Sequence, residues 1–192
     1  MTFTPSPDDA LIVADVQVDF CPGGSLAVPE GDQVVPLVNK LAPQFRTVVT
    51  SQDSHPPRHC SFVEQGGPWP VHCVEGTPGW QFHPDLKVEP DFRVFKARKP
   101  AIEEYSAWKP GLAEFLASRG VKRVVVTGLA LDYCVKATAL DARAAGYPVV
   151  VLTDAVRAVN AAPDDGARAL DALRAAGVRE DTAEAEAGPA GA

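Results

Sequence analysis

The chain has 192 residues, 46% of them hydrophobic and 22% charged, which suits one globular domain with a substantial core and excludes a disordered or fibrous chain. The formal charge of -7, with 25 acidic against 18 basic side chains and no Lys/Arg cluster, disfavours nucleic acid as a partner. No apolar run approaches the roughly 20 residues that span a bilayer, and MTFTPSPDD lacks the basic and apolar regions of a signal peptide. No membrane association is therefore expected, and the expected location is cytoplasmic.

In chain order, the first apolar run is ALIVADV from Ala10, followed by a helical pattern from Asp32 to Phe45 and a second run, TVVTSQD, from Thr47. Residues 54–90 are rich in proline, histidine and tryptophan and show little periodicity, which marks a long irregular excursion of functional rather than disordered character. FRVFK from Phe92 alternates and makes a weaker strand candidate. Then come a helix from Pro110 to Arg119, the run VKRVVVTG from Val121, a helix from Asp132 to Ala145, the run YPVVVLTD from Tyr147, a helix from Pro163 to Ala176 and an edge strand near Val178. Gly120, Gly146 and Gly177 each follow a helical pattern, where a helix C-terminus favours a left-handed residue.

Continuously apolar runs fit strands buried on both faces. The alternation predicts an α/β fold: a three-layer, open, doubly wound parallel sheet of about six strands with helices on both faces. A single domain is expected over 1–182, with the excursion at about 54–90 inserted in it, and AEAEAGPAGA over 183–192 reads as a flexible tail.

Ligands of such sheets bind beyond the carboxyl ends of the strands, which directs attention to Asp15, Asp53, Lys96 and the turn from Gly128 to Cys134. Asp15 reads as a carboxylate inside an apolar strand, where burial without a partner is costly. Cys134 lies at a strand-to-helix turn, where backbone N–H groups and the helix dipole are expected to lower a thiol pKa and to hold an oxyanion. Cys21, Cys60 and Cys73 lie in loops without that setting and read as reduced, non-catalytic thiols. All four histidines fall in the excursion, so the partners available to Cys134 at the strand ends are Asp15 and Lys96. Asp53, His55 and His72 form a second constellation, one carboxylate and two imidazoles, suited to a single divalent ion: zinc first, iron or manganese as alternatives. His59 and Glu64 are candidate fourth ligands.

Five blocks resemble the cysteine hydrolases of the isochorismatase-like family, and within it the nicotinamidases (pyrazinamidases). They are ALIVADVQVDFCPGGSLAVPEG, SQDSHPPRHCSF, WPVHCVEGTPGWQFHPDL, FKARKPAIEEYSAW and VTGLALDYCVKATALDARAAGY, in that order over roughly residues 10–160. The resemblance implies a Cys134, Asp15 and Lys96 triad. It also implies a non-proline cis peptide between Leu129 and Ala130, and an oxyanion hole from the Ala130 and Cys134 N–H groups. Phe20 and Trp69 would sandwich a flat heteroaromatic ring, with Tyr105 and Leu129 also at the substrate.

The metal at Asp53, His55 and His72 would then take the pyridine nitrogen, directly or through water. The implied reaction is hydrolysis of nicotinamide to nicotinate and ammonia through a cysteine thioester, with pyrazinamide as a further substrate. The competing readings are an amidohydrolase of the same family acting on another carboxamide or ureido compound, and a non-catalytic metal- or ligand-binding module. Ser54 departs from the family, which usually has an aromatic residue there. Self-association into a homo-oligomer stays open at this level.

Overall fold

The computed structural model describes residues 2–184. One sheet of six parallel strands runs through it: β1 Asp9–Ala14, β2 Thr47–Asp53, β3 Phe92–Lys96, β4 Arg123–Leu129, β5 Val149–Arg157 and β6 Arg179–Asp181. Their spatial order is β3-β2-β1-β4-β5-β6. Four helices cover it: α1 Val34–Leu41, α2 Pro110–Ser118, α3 Lys136–Ala144 and α4 Asp165–Ala175.

The continuous apolarity of the strands is sorted by the pleat into two cores. Leu11, Val13, Val125, Val150 and Leu152 face α1, packing with its Val34, Val35, Val38 and Leu41. Ala10, Ile12, Val124, Val126, Val149 and Val151 face the other side, where Leu112 and Leu116 of α2, Ala139 and Ala142 of α3, and Ala169 and Leu173 of α4 cover them. The three-layer expectation holds. β3 lies at the edge, and its alternation buries Val94 and Lys96 while Arg93 and Phe95 point outward.

Boundaries differ from expectation where local chemistry intervenes. β1 stops at Ala14, and Asp15 follows it with φ 45, outside the strand rather than within it. The helix expected over Asp32–Phe45 keeps only Val34–Leu41 in α form, between tight 3-10 turns at Gly31–Gln33 and Ala42–Gln44. Pro43 in the second turn has no N–H to continue the ladder. The helix expected from Asp132 opens with a π turn, Leu131–Val135, before α3 begins. Gly120, Gly146 and Gly177 are all left-handed at helix ends, as expected.

The excursion is irregular but ordered. It contains 3-10 turns of three residues and isolated bridges, His55 with Val74 and Phe62 with Trp69. Ala183 and Glu184, expected to open the tail, are anchored by backbone N–H groups donating to the Asp154 carboxylate. The rest of that expected tail, 185–192, lies outside the described residues. Among the described residues no helix is long and apolar enough to cross a membrane.

The strand order reverses at β1. The chain steps outward from β1 to β2 and β3, then returns to place β4 on β1's other side. The carboxyl ends of β1 and β4 thus diverge into a crevice, the usual ligand position of an open α/β sheet. The two strands approach closely at Gly128, which has φ 102 and sits where β4 shifts register against β5. A Cβ there would lie 2.1 Å from the Ala14 carbonyl oxygen. Gly128→Ala is therefore expected to lower stability by about 3 kcal/mol, combining positive-φ strain with a backbone clash. The measurement is the urea midpoint at unchanged slope; a loss below about 1 kcal/mol would show that β1 and β4 separate freely there.

Candidate active site

One buried ammonium organises the crevice. Lys96, the last residue of β3, has no exposed surface, and its Nζ lies 2.5 Å from Asp53 Oδ1, 2.8 Å from Asp15 Oδ2 and 3.5 Å from Cys134 Sγ. Asp15 can reach it because the left-handed turn after β1 takes its backbone out of the extended path. Ser51 of β2 steadies the other Asp15 oxygen, donating its hydroxyl to Oδ1 at 2.7 Å. Cys134 arrives from the π turn after β4, and its sulfur lies within 4.8 Å of carboxylate oxygens of both Asp15 and Asp53.

Charge is distributed unequally among these groups. Burial opposes the charge on Lys96, but Asp15, Asp53 and Cys134 outweigh it and hold its pKa well above the ordinary lysine value. Asp53 is desolvated too, yet Lys96 and then His55 bring its pKa below the usual carboxylate range. Asp15 goes the other way: burial, reinforced by Asp53, raises its pKa against the pull of Lys96. Asp53 and Lys96 therefore form the standing ion pair, and Asp15 is the stronger base.

The Cys134 thiol is pushed well above its ordinary pKa by burial, with Asp15 and Asp53 adding to the effect and Lys96 opposing it. This corrects the expected lowering at a helix N-terminus. Burial and two nearby carboxylates outweigh the backbone dipoles, so the resting sulfur keeps its proton.

Beside this node lies the expected metal set. Asp53, His55 and His72 are buried, and each offers a ligand atom within 4.8 Å of the others'. His72 Nδ1 donates to the Pro70 carbonyl at 2.7 Å, which leaves Nε2 with a free lone pair. His55 is 1% exposed, and neither of its ring nitrogens has a hydrogen-bond partner among the described residues. Burial lowers its pKa to about 3, with His72, His59 and Lys96 adding to the effect against Asp53, so the ring is neutral. A neutral imidazole buried with both nitrogens unsatisfied is unfavourable, and a divalent cation on this donor set would satisfy one of them. The residues fit a metal.

Glu64 lies outside that cluster, and His59 packs beside it, its ring centroid 4.4 Å from that of His55, without offering a nitrogen to it. Both His59 nitrogens are committed, Nε2 to the Ile102 carbonyl at 3.0 Å and Nδ1 to Ser61 Oγ at 2.7 Å. Glu64 is exposed on a 3-10 turn. Phe20, Trp69 and Tyr105 line the cleft that opens onto Cys134, Asp53 and His72, and Trp69 Nε1 donates to the Tyr105 hydroxyl at 3.1 Å.

Leu129 does not line the cleft. It is fully buried in the α1-side core, and Ala130, joined to it by a cis peptide bond, lines the cleft instead. Leu26, Tyr133 and Val159 also line it, and the sequence alone does not single them out. Only Tyr133 carries a signal, its place beside Cys134. Ser54 is fully buried and accepts a hydrogen bond from Trp80 Nε1 at 3.1 Å, so an indole from elsewhere in the excursion stands against the serine. Cys21, Cys60 and Cys73 are free thiols. Burial raises Cys21 to about 11 and Cys73 well above its usual range.

The isochorismatase domain model matches residues 9–184, most of the chain. This chain belongs to the isochorismatase family. A nicotinamidase of Escherichia coli strain K12 is 40% identical to it, with 89% of this chain and 93% of that protein covered. Among solved structures, the pyrazinamidase of Pyrococcus horikoshii in complex with zinc superposes with a TM-score of 0.84 at 43% identity, covering 92% of this chain and 99% of that one. PnC1 from L. infantum in complex with nicotinate superposes with a TM-score of 0.89 at 40% identity, covering 95% and 96%.

Asp53 links the Lys96 node to the histidine cluster, facing Lys96 with Oδ1 and His55 with Oδ2 at 3.8 Å. Asp53→Ala and His72→Ala should each bind substoichiometric metal by elemental analysis, whereas Glu64→Ala should keep the wild-type content. Full metal in either of the first two variants would remove the ligand assignment.

Proposed function

We propose that the chain hydrolyses nicotinamide to nicotinate and ammonia, with Cys134 as nucleophile, Asp15 as base and acid, and Lys96 as the charge that holds them. The observation that carries this reading is the Lys96 node, where a protonated thiol and a carboxylate of raised pKa share one ammonium beside a three-ligand cluster in the same cleft. The nicotinamidase relatives and the nicotinate-bound neighbour support the substrate.

In the proposed reaction Asp15 takes the proton from Cys134, and the thiolate attacks the carboxamide carbon. Lys96 stabilises the thiolate as it forms. The N–H groups of Ala130 and Cys134, at the start of the turn, receive the oxyanion. Protonated Asp15 then gives its proton to the departing nitrogen, so ammonia leaves and a thioester remains. Water loses a proton to Asp15 and attacks the thioester. Nicotinic acid departs and ionises to nicotinate in water, and the thiolate recovers its proton from Asp15. Phe20 and Trp69 would flank the ring, with Tyr105 closing the cleft through Trp69. A divalent ion on Asp53, His55 and His72 would supply a Lewis-acidic anchor for the ring nitrogen, which fixes the carboxamide relative to sulfur. Zinc suits this borderline nitrogen and oxygen set.

Cys134→Ala should lower ammonia release from nicotinamide by a factor on the order of 10⁴ or more while metal content stays at the wild-type level. Retained turnover would sink the nucleophile assignment. Parallel assays with pyrazinamide and a ureido amide decide the substrate class: faster release from the ureido compound would overturn the nicotinamide reading.

The raised pKa of Asp15 sets the pH dependence. Below that pKa the carboxylate is protonated and cannot accept the thiol proton. The rate kcat/KM should therefore fall about tenfold per pH unit on an acidic limb whose midpoint lies above the ordinary aspartate value of about 3.9. A profile flat down to that value would exclude Asp15 as the base.

A further inference from the structure

Gln17 is fully buried, takes no part in the proposed chemistry, and bonds through both polar atoms of its side chain to the backbone of Asp53, a residue that does. β1 and β2 pair from Ala10 opposite Thr47 to Ala14 opposite Ser51, and the ladder ends there because Asp15 turns left-handed. β2 runs two residues further, to Asp53, with β3 on its outer side. On its inner side the Asp53 peptide faces the place that β1 has left.

The Gln17 amide fills it. Its Oε1 accepts from the Asp53 N–H at 2.8 Å, and its Nε2 donates to the Asp53 carbonyl at 2.9 Å. Nε2 also donates to the Trp80 carbonyl at 2.9 Å, which Gln52 Nε2 reaches at 2.7 Å as well. A primary amide carries the same donor and acceptor as a peptide group. The side chain thus adds one rung to a ladder that the catalytic turn has cut.

We propose that Gln17 is a positioning residue, whose amide replaces the missing β1 peptide and sets Asp53 so that one carboxylate serves Lys96 and the metal cluster together. The inference rests on the ligand reading of Asp53 given above. Without the clamp, two buried backbone groups of Asp53 lose their partners and the carboxylate is free to swing away from one of its two duties.

The test uses Gln17→Met, which keeps length and bulk but lacks both hydrogen-bonding groups, beside Leu173→Ala, a remote core variant in α4. Metal-free protein is titrated with zinc against a chromophoric chelator, and kcat and KM for nicotinamide are read on the loaded forms. Gln17→Met is expected to weaken zinc binding by about 10–100-fold, the usual effect of losing a group that orients a ligand. Leu173→Ala should lower the melting temperature with zinc affinity within twofold of wild type. Zinc affinity within twofold of wild type in Gln17→Met, or an equal loss in Leu173→Ala, overturns the proposal.

Asp53→Ala separates the two levels. If it still binds zinc at wild-type affinity, the ligand reading fails; if it loses zinc while Gln17→Met does not, only the clamp fails. Should Gln17→Met not fold, couplings across hydrogen bonds in the wild-type protein decide. Magnetisation transfer from the Asp53 N–H to the Gln17 side-chain carbonyl carbon is expected, and its absence overturns the proposal.

Discussion

An ammonium group with no exposed surface is the constraint on which the rest of the site depends. Isolated in a protein interior, the Lys96 charge would cost several kcal/mol, and truncating one partner of such a pair typically costs about 3–5 kcal/mol. The sheet compensates it with carboxylates from two directions, Asp15 beyond β1 and Asp53 at the end of β2, while β3 delivers the lysine itself. Three neighbouring parallel strands therefore end in one charge cluster. Because Asp53 and Lys96 neutralise each other, the remaining carboxylate and the thiol are left to share a proton.

Topology explains why Cys134 meets this cluster. β4 is adjacent to β1 in space but distant in sequence, and the crevice between them opens where their connections diverge. Asp15 leaves its strand by a left-handed residue and Cys134 enters through a π turn, so both depart from regular geometry at the place where chemistry is assigned. Departures of this kind persist where surrounding structure holds them. Here Ser51 and Lys96 hold the first, and α3 holds the second.

Much of this is legible in the sequence, and the misses share a cause. Strand runs and helix-ending glycines are local patterns, and Asp15, Asp53 and Cys134 stand out as polar residues closing apolar runs. Lys96 is legible as the polar residue that closes FRVFK, whereas its place on the buried phase of β3 comes from the structure. What escapes depends on tertiary surroundings. The sign of φ at Asp15 leaves no compositional trace, so the residue reads as part of the strand. The thiol pKa is misjudged because the helix terminus is visible in the sequence, whereas burial beside two carboxylates is not. His59 has the chemistry of a ligand, but both its nitrogens are bonded elsewhere, and Leu129 exchanges places with Ala130 because the backbone between them turns. Leu26 and Val159 reach the cleft from distant loops and carry no chemical signal at all.

The residues that confine the cleft and those assigned to proton transfer belong to different parts of the chain. Trp69 and Tyr105 are hydrogen-bonded to each other from two irregular segments, whereas Asp15 and Lys96 are fixed at strand ends and Cys134 in the turn between β4 and α3. Loops tolerate change far better than buried strand termini. The fold thereby separates the walls of the cleft from the charge cluster at its floor: a lineage can reshape the entrance by altering loop sequence while inheriting the same buried ammonium and its partners intact.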